Sequence, residues 1–300
     1  MSAPVSFLDH LETCDCGLCG ASDTKLVLVK SHLNIVQCTS CGLLRTNPRL
    51  APKYILDESA QEKVGNGYFS AYERSFLPSR TVNYRQWLAY LQSFRRTNRI
   101  LDIGTGPGHF LAEATEVGWD ALGVEPCQAE VAYARQRGLH VIPCGVEDVL
   151  SLQERDFDVV TLWDSFEHLA DPVAAASAVH SLLRPGGAVL LRVPDAGILG
   201  IQPCLAWWER PLYWLYARYV FAWHPIEHLY HYSRETLSRL LTQCGFQTLG
   251  SWPHETMNSK ECYSAARWKR PMKRVILMGA VRKGWPHSFV HISVKPDASG

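Results

Sequence analysis

A glycine-rich loop is the first stretch of this sequence whose residue types and spacing could do chemistry. Residues 102–108 read Asp-Ile-Gly-Thr-Gly-Pro-Gly. A short apolar run precedes them and a helix-like segment, Phe110 to Val117, follows, so the pattern predicts a strand, a tight loop and a helix N-terminus. Loop glycines let a ligand approach the backbone, and the first N–H groups of a helix favour negative charge. We therefore expect an anionic or polar ligand group here.

The spacing of the glycines decides which ligand is favoured. A dinucleotide fingerprint needs a third glycine three residues after Gly106, but that position is His109, and the third glycine falls one residue early at Gly108. This disfavours a pyrophosphate. The next apolar run ends in Glu125, where an acid is placed to accept hydrogen bonds from two ribose hydroxyls.

Four cysteines form the second chemical pattern. Cys16 and Cys19, then Cys38 and Cys41, are two C-x-x-C-G knuckles separated by eighteen residues, a spacing typical of a structural Zn²⁺ site. Two apolar runs between the knuckles, residues 25–30 and 34–37, predict the strands of a zinc ribbon. The alternative is two unrelated reduced thiol pairs. Cys14 could serve as a substitute ligand or be spare, and contact with nucleic acid or a protein stays open for this module.

The loop Asp102-x-Gly-x-Gly-x-Gly, followed by Glu125-Pro126, resembles the class I S-adenosylmethionine-dependent methyltransferases. It is most similar to the small-molecule branch that includes ubiquinone-pathway O-methyltransferases. The later features of the family follow in order over roughly residues 99–250. They are Gly145-Val-Glu-Asp-Val after the third strand, Phe157 to Asp164 as the fourth strand, Glu167-His-Leu behind it, and Leu183-Arg-Pro-Gly-Gly before the fifth.

The resemblance implies S-adenosylmethionine as cofactor and an α/β, Rossmann-like, seven-stranded methyltransferase sheet. It also implies which residues contact the cofactor, and residues 145–149 are where the family contacts adenine. The implied cofactor residues are Asp102, Gly104, Thr105, Gly106, Gly108, Glu125, Pro126, Glu147, Asp148 and Asp164. Similar N-terminal cysteine modules accompany some bacterial methyltransferases that act on sugars.

Methyl transfer to a hydroxyl needs alignment of the acceptor, exclusion of water and a base. His168 is the first candidate, because it follows the fourth strand, where the methyl group should point; the alternative is a histidine that caps the turn before Asp171. Glu167 is either structural or a partner that orients His168. In relatives an equivalent histidine lies at the pocket mouth, which implies His228 as the second candidate. A metal site built from the histidines of residues 224–231 with Glu227 is a further alternative.

The elements that must position these residues follow from the alternation of strands and helices after residue 99. This alternation predicts a parallel sheet with ligands at the carboxyl ends of the strands. Residues 246–252 and 288–295 would be the last two strands, the final one antiparallel. We divide the chain into a zinc-ribbon-like module (1–50), a helical linker that covers the cofactor (51–98) and a methyltransferase domain (99–300). In the linker, Tyr68 or Tyr72 could close over the cofactor, or its aromatics could simply pack on the domain.

Two further segments are unusual. Residues 198–223 hold four tryptophans and few charges, which we interpret as an aromatic helical lid over the acceptor pocket. A satellite core and an interfacial helix at a membrane surface are the alternatives. Residues 260–283 hold eight basic residues against one acid, which is typical of a solvated helix face. The same run could bind phosphates of a nucleotide-linked or lipid-linked acceptor.

Composition narrows the function. A net charge of +1 gives no global attraction to nucleic acid, residues 1–12 do not resemble a signal peptide, and we expect a cytoplasmic protein.

Cys127 follows the second strand rather than the fourth, so it is not expected to be the nucleophile of a DNA cytosine methyltransferase. We expect methyl transfer to a small-molecule, glycan-linked or lipid-linked acceptor, with oxygen as the first choice of target atom. We expect no DNA partner. Peripheral membrane contact through the lid stays open. The alternatives are an RNA methyltransferase whose zinc ribbon contacts RNA, and a non-catalytic scaffold.

Overall fold

The structure, a computed structural model, describes residues 7–30, 33–52, 54–55, 77–152, 154–197, 211, 225–254 and 288–297. Within these ranges the chain forms a seven-stranded sheet, a four-stranded sheet and a two-stranded pair. The seven-stranded sheet carries the glycine loop. The two smaller sheets belong mainly to residues 7–50, called the cysteine module below.

Most of the elements agree with the strands and helices expected from the sequence, while the short strands at residues 11–12, 44–46, 49–50 and 230–231 are additional. The strands are β1 (Leu11–Glu12), β2 (Thr24–Lys30), β3 (Leu33–Cys38), β4 (Leu44–Thr46), β5 (Arg49–Leu50), β6 (Arg99–Ile103), β7 (Asp120–Val124), β8 (Val141–Ile142), β9 (Phe157–Trp163), β10 (Leu183–Pro194), β11 (Tyr230–His231), β12 (Gln247–Pro253) and β13 (Ser288–Val294). The α-helices are α1 (Leu77–Leu91), α2 (His109–Glu116), α3 (Gln128–Gln136), α4 (Pro172–Leu182) and α5 (Arg234–Gln243). Ser233 and Thr236 form a capping box that starts α5.

The seven-stranded sheet has the order β12-β13-β10-β9-β6-β7-β8. The strands from β10 to β8 run parallel, while β13 is antiparallel to both of its neighbours, β10 and β12. This topology confirms the predicted Rossmann-like sheet with its final strand inserted antiparallel. Because parallel strands end at the same edge, the loops after β6, β7, β8 and β9 lie side by side.

Hydrophobic packing joins the cysteine module to the seven-stranded sheet. All seven residues of β9 are buried, as expected for a parallel strand covered on both faces. On one face, Tyr84 of α1 packs in a cluster with Trp163. On the other face, Leu18 and Leu43 of the cysteine module belong to the same buried cluster as Leu162 of β9. The module therefore shares a core with the sheet.

The four-stranded sheet has the order β11-β4-β3-β2, with antiparallel neighbours throughout. Three of its strands belong to the cysteine module. β2 and β3 agree with the two predicted strands of the ribbon, and β4 is an additional strand. The fourth strand, β11, comes from residues 230–231, far along the chain. Sequence analysis does not predict this pairing, because a two-residue strand leaves no periodic signal.

Asp158 of β9 anchors the segment that leads into β6. Its Oδ2 accepts hydrogen bonds from the backbone N–H groups of Arg96, Thr97 and Asn98 at 2.8, 2.8 and 2.7 Å. Its Oδ1 accepts a hydrogen bond of 2.5 Å from Nε of Arg184. Burial raises the pKa of Asp158, but the hydrogen bond from Arg184 and the backbone hydrogen bonds outweigh burial and lower the pKa below its ordinary value.

We expect Asp158→Asn to lower the free energy of unfolding by about 2–4 kcal/mol at neutral pH. Because the folded pKa lies below the unfolded value of about 3.9, the stabilisation is present above that pH and is lost as the pH falls through the folded pKa. Urea unfolding should therefore show that the difference in free energy of unfolding between wild type and Asp158→Asn is smaller below about pH 4 than at neutral pH. Asp120→Asn is the matched control, since the Asp120 side chain is 73% exposed. Equal stabilities of wild type and Asp158→Asn at neutral pH would refute this role.

Candidate functional site

The glycine loop connects β6 to α2 and is tied to its neighbours. The N–H groups of Gly104 and Thr105 donate to the carbonyl of Val124, at the end of β7, over 2.9 and 3.1 Å. Gly104 has φ of +71°, and a Cβ there would lie 2.6 Å from Cβ of Ser165. Only glycine fits this position, so the loop backbone lies directly against the segment that follows β9.

Glu125, the first residue after β7, holds the loop from the other side. Its Oε2 accepts from the N–H of Gly106 and its Oε1 from the N–H of Cys127, both at 2.9 Å. The residue is 6% exposed. These two bonds hold the carboxylate, with its two acceptor oxygens, on the wall of a cavity beside the glycine loop. The arrangement therefore suits a ligand with neighbouring hydroxyls, such as a ribose.

Replacing Glu125 with alanine should weaken binding of S-adenosylmethionine by about 1–3 kcal/mol, because ligand hydroxyls would lose a charged acceptor. Titration calorimetry of the purified variant measures this directly. Glu116→Ala is the matched control, since Glu116 is an exposed residue at the end of α2. Unchanged affinity in Glu125→Ala would remove Glu125 from the cofactor site.

A cavity of about 600 Å³ opens at this edge of the seven-stranded sheet. Most of the residues predicted to contact the cofactor, and one of the two predicted catalytic histidines, lie on its wall. They are Asp102, Gly104, Thr105, Gly106, Glu125, Pro126, Glu147, Asp164 and His168. Gly108 and Asp148 lie outside the lining: Gly108 is the N-cap of α2, and Asp148 is exposed in the helical turn after β8.

Asp102 contributes a buried carboxyl to the floor of the cavity. It is 2% exposed, and Oγ1 of Thr161 donates to its Oδ1 over 2.7 Å. Burial raises the pKa of Asp102 to about 7, against the hydrogen bond from Thr161. The neutral form is therefore far more populated near neutral pH than for an exposed aspartate, and this form can donate a hydrogen bond.

Asp164 lies between two arginines at the end of β9. It has φ of +53°, pairs with Arg192, and is 3.4 Å from Nη1 of Arg80. Burial would raise the pKa of Asp164, but the charges of Arg192 and Arg80 hold it below its ordinary value. The carboxylate is thus ionised and fixed in place at the cavity wall.

Helix α1 adds site residues that sequence analysis missed. Arg80 and Tyr84 line the cavity beside Asp164, and they stand one helical turn apart, so both face the same side of α1. For the aromatics of the linker, the sequence leaves open both packing on the domain and contact with the cofactor, and it does not single out Arg80. The available signal was an arginine on the apolar face of a helix, where a charged side chain needs a partner.

Glu167, His168 and His228 meet at the far wall of the cavity. The N–H at Nδ1 of His168 donates to the carbonyl of Glu227 over 2.9 Å, which places the lone pair of the ring on Nε2. His228 packs edge-on against His168, with ring centroids 4.8 Å apart. It is 8% exposed and lies behind the cavity wall rather than on it.

Glu167 is the most buried member of this group. It is 1% exposed, and Oε1 lies 4.0 Å from Nε2 of His228. Within the part of the chain that the structure describes, neither carboxylate oxygen has a hydrogen-bond partner. Burial, with the nearby charge of Asp164, raises the pKa of Glu167 well above its ordinary value.

The same three residues could hold a divalent cation. The ligand atoms of Glu167, His168 and His228 lie within 4.8 Å of one another, and one carboxylate with two imidazoles is a common donor set. The alternative drawn from the sequence included Glu227. In the structure Glu227 offers its backbone carbonyl to His168, a contact that orients a histidine ligand.

The four knuckle cysteines converge in the cysteine module. Sγ of Cys16 lies 3.5 Å from Sγ of Cys41, and Sγ of Cys19 lies 3.6 Å from Sγ of Cys38. Four sulfurs around a tetrahedral Zn²⁺ with bonds of about 2.3 Å stand about 3.8 Å apart, so the arrangement fits this ion. Burial raises the pKa of the Cys16 and Cys41 thiols. Burial would also raise the pKa of the Cys38 thiol, but backbone hydrogen bonds from Cys41 and Ser40 lower it to about 6. A bound Zn²⁺ would hold all four as thiolates.

Several residues and segments singled out in the sequence lie outside the described residues. They are Tyr68, Tyr72, the aromatic segment 198–223 apart from Pro211, His224, and the basic run 260–283. Among the helices that the structure describes, none has the length and apolar composition needed to cross a membrane.

Comparison with known proteins places these observations in a family. A family model for a methyltransferase domain matches residues 76–250. The chain is 28% identical over 125 residues to the ubiquinone biosynthesis O-methyltransferase of Bordetella avium (strain 197N), covering 38% of this chain and 51% of that protein. It is 33% identical over 102 residues to the enzyme of the same name from Pseudomonas aeruginosa (strain UCBPP-PA14), covering 31% and 43%. The chain thus spans about half the length of the curated relatives it matches.

Similarity of fold extends further along the chain. A chain in the Haloferax volcanii complex between the Trm112 methyltransferase activator and a methyltransferase superposes with a TM-score of 0.54 and 14% identity. The superposition covers 83% of this chain and 100% of that chain. At this identity the likeness is one of fold.

Proposed function

Because this chain belongs to the methyltransferase-domain family, within the class I S-adenosylmethionine-dependent methyltransferases, we propose that it transfers a methyl group from S-adenosylmethionine to an acceptor hydroxyl. The acceptor we propose is a small molecule or a glycan-linked or lipid-linked compound. The names of the matched relatives, which are O-methyltransferases, support oxygen as the target atom. The observation that carries the proposal is the position of His168, on the wall of the same cavity as the glycine loop and Glu125.

The residues divide into a cofactor side and an acceptor side. On the cofactor side, Glu125 would accept hydrogen bonds from the ribose. The backbone of the loop from Gly104 to Gly106 would lie against the cofactor. Glu147 and Pro126 line the same end of the cavity. When bound, S-adenosylmethionine supplies an electrophilic methyl group carried on a sulfonium.

On the acceptor side, His168 is the proposed base. Its Nδ1–H is held by the carbonyl of Glu227, so Nε2 is the atom that would take the proton of the acceptor hydroxyl. His228 packs against the ring of His168 and would keep it in place. The wall that His168 forms with Leu169 and Ala170 would help to exclude water from the reacting atoms.

A panel of hydroxyl acceptors tests the proposal: catechols, reducing sugars and polyprenyl-linked phenols, each incubated with labelled S-adenosylmethionine. We expect transfer of label to the oxygen of at least one class. Activity should then fall about a hundredfold in His168→Ala, with cofactor affinity retained. His140→Ala is the matched control, since His140 is exposed in the segment before β8. Full activity in His168→Ala would exclude His168 as the base.

We further propose that Cys16, Cys19, Cys38 and Cys41 bind one structural Zn²⁺. The sulfur separations support this, and a site closed by four thiolates leaves no open position for substrate. The ion would therefore stabilise the module and take no part in methyl transfer.

A further inference from the structure

Strand β11 connects the proposed acceptor side of the site to the cysteine module. Tyr230 pairs with Arg45, and His231 pairs with Leu44, both in antiparallel register with β4. β11 is an edge strand of the four-stranded sheet, so β4 is its neighbour in that sheet. It begins two residues after His228. Residues 228–231, called the histidine segment below, are therefore positioned from the side of the cysteine module.

Thr46, the last residue of β4, makes the contacts that matter most. It is fully buried, and its Oγ1 donates to the carbonyl of His228 over 3.0 Å. The same oxygen lies 3.5 Å from Nε2 of His231, from which it can accept. The N–H of Thr46 donates to the carbonyl of Leu229 over 3.0 Å. One threonine thus contacts three residues of the histidine segment, His228, Leu229 and His231, through its polar atoms.

The opposite side of the histidine segment is held by the methyltransferase domain. The N–H of Leu229 donates to the carbonyl of Glu167 over 2.9 Å. The backbone of residues 228–229 therefore lies between Thr46 on one side and Glu167 on the other. Displacing Thr46 would release one of these two supports.

Both cysteine knuckles adjoin this arrangement. The first knuckle packs on β11, since a Cβ on Gly17 would lie 2.4 Å from Oη of Tyr230. The second knuckle leads into β4, and the N–H of Cys38 donates to the carbonyl of Leu43 over 2.9 Å. The geometry of the knuckles and the position of the histidine segment are consequently linked through short, buried contacts.

From these contacts we infer that Thr46 is a positioning residue, whose hydroxyl sets the backbone of His228 and the ring of His231. Through it, the cysteine module positions the acceptor side of the site. This inference rests on the proposed function of the cavity. A valine would fill the same volume, and a buried hydroxyl is costly unless it is bonded. The hydroxyl of Thr46 has its two hydrogen-bond partners in the carbonyl of His228 and the imidazole of His231.

Two substitutions in the full-length chain separate the hydroxyl from the volume of the side chain. Thr46→Val removes the oxygen and keeps the shape, while Thr46→Ser keeps the oxygen. Thr115→Val is the matched control, because Thr115 also donates to a backbone carbonyl, that of Leu111, but is exposed and lies in α2. The readouts are hydrogen exchange of residues 225–233, the NMR chemical shifts of the His231 ring, and calorimetry with S-adenosylmethionine.

In Thr46→Val, loss of one buried hydrogen bond should speed exchange in residues 225–233 about fivefold and change the chemical shifts of the His231 ring, which Oγ1 of Thr46 contacts. Thr46→Ser should restore both, Thr115→Val should change neither, and cofactor affinity should stay within about twofold of wild type in every variant. Exchange and His231 ring shifts in Thr46→Val that match wild type would overturn the inference. So would an increase in exchange spread equally over β6 and β9, which would show loss of stability alone.

The same experiment keeps this inference apart from the proposed function. If the wild-type chain does not bind S-adenosylmethionine, the proposed function fails. Exchange of residues 225–233 in Thr46→Val and Thr46→Ser is measured without any cofactor, so it still decides whether Thr46 positions the histidine segment.

Discussion

Replacing Gly104 with alanine should weaken S-adenosylmethionine binding several hundredfold or more. At φ of +71° an L-residue costs about 1–2 kcal/mol. The added Cβ would also stand 2.6 Å from Cβ of Ser165. Ser165 cannot easily move aside, because its Oγ donates to the carbonyl of Ile103 over 2.9 Å. The glycine loop must therefore shift into the cavity, which displaces the backbone that faces the cofactor.

Gly138→Ala is a close control for the conformational part of this effect. Gly138 has φ of +78°, and no atom lies within 4 Å of a Cβ built there. Both variants should lose a similar amount of stability from backbone strain, but only Gly104→Ala should lose cofactor affinity. Calorimetry and thermal unfolding of both proteins separate the two effects. Gly104→Ala that binds the cofactor as tightly as wild type would contradict the placement of the cofactor against this loop.

Replacing Cys38 with serine should release the bound metal and lower the free energy of unfolding by at least about 5 kcal/mol, since structural zinc sites contribute about 10 kcal/mol or more. Cys38 is 1% exposed and lies in the core shared with the seven-stranded sheet. The loss should therefore extend beyond the module, loosening β4 and, through it, the segment that carries His228.

Cys14→Ser provides the control for the metal site. Cys14 is a partly exposed thiol next to the knuckles, and it is not a member of the four-cysteine group. Elemental analysis and urea unfolding should give about one zinc per chain for wild type and Cys14→Ser, and none for Cys38→Ser. A Cys38→Ser protein that retains zinc and full stability would exclude the four-thiolate site.

Local patterns predict the seven-stranded sheet well. The run from Phe157 to Asp164 is apolar and β-branched because β9 is covered on both faces, and such a run is visible without knowledge of its neighbours. The glycines of the loop and Glu125 stand at the ends of predicted strands, and parallel strands bring these ends together. The elements around the cofactor side of the cavity therefore follow from the sequence.

The acceptor side is less predictable for a physical reason. Residues 228–231 are positioned by Thr46 and β4, across more than 180 residues of chain, and hydrogen bonds of this kind leave no periodic pattern in either segment. Burial of Glu167 is equally invisible, because an acid after a strand is usually exposed. Arg80 was missed because its partner, Asp164, lies in another element. Sequence reasoning named His168 and His228 but could not show that one lines the cavity and the other supports it.

The measurement that tests the central claim most directly is titration calorimetry of the metal-replete chain with S-adenosylmethionine and S-adenosylhomocysteine, with zinc determined on the same sample. We predict saturable binding of both compounds at one site per chain, with a Kd in the micromolar range or below, about −8 kcal/mol, and about one zinc per chain. Absence of binding to either compound in protein that holds its zinc would contradict the assignment of the cavity to S-adenosylmethionine.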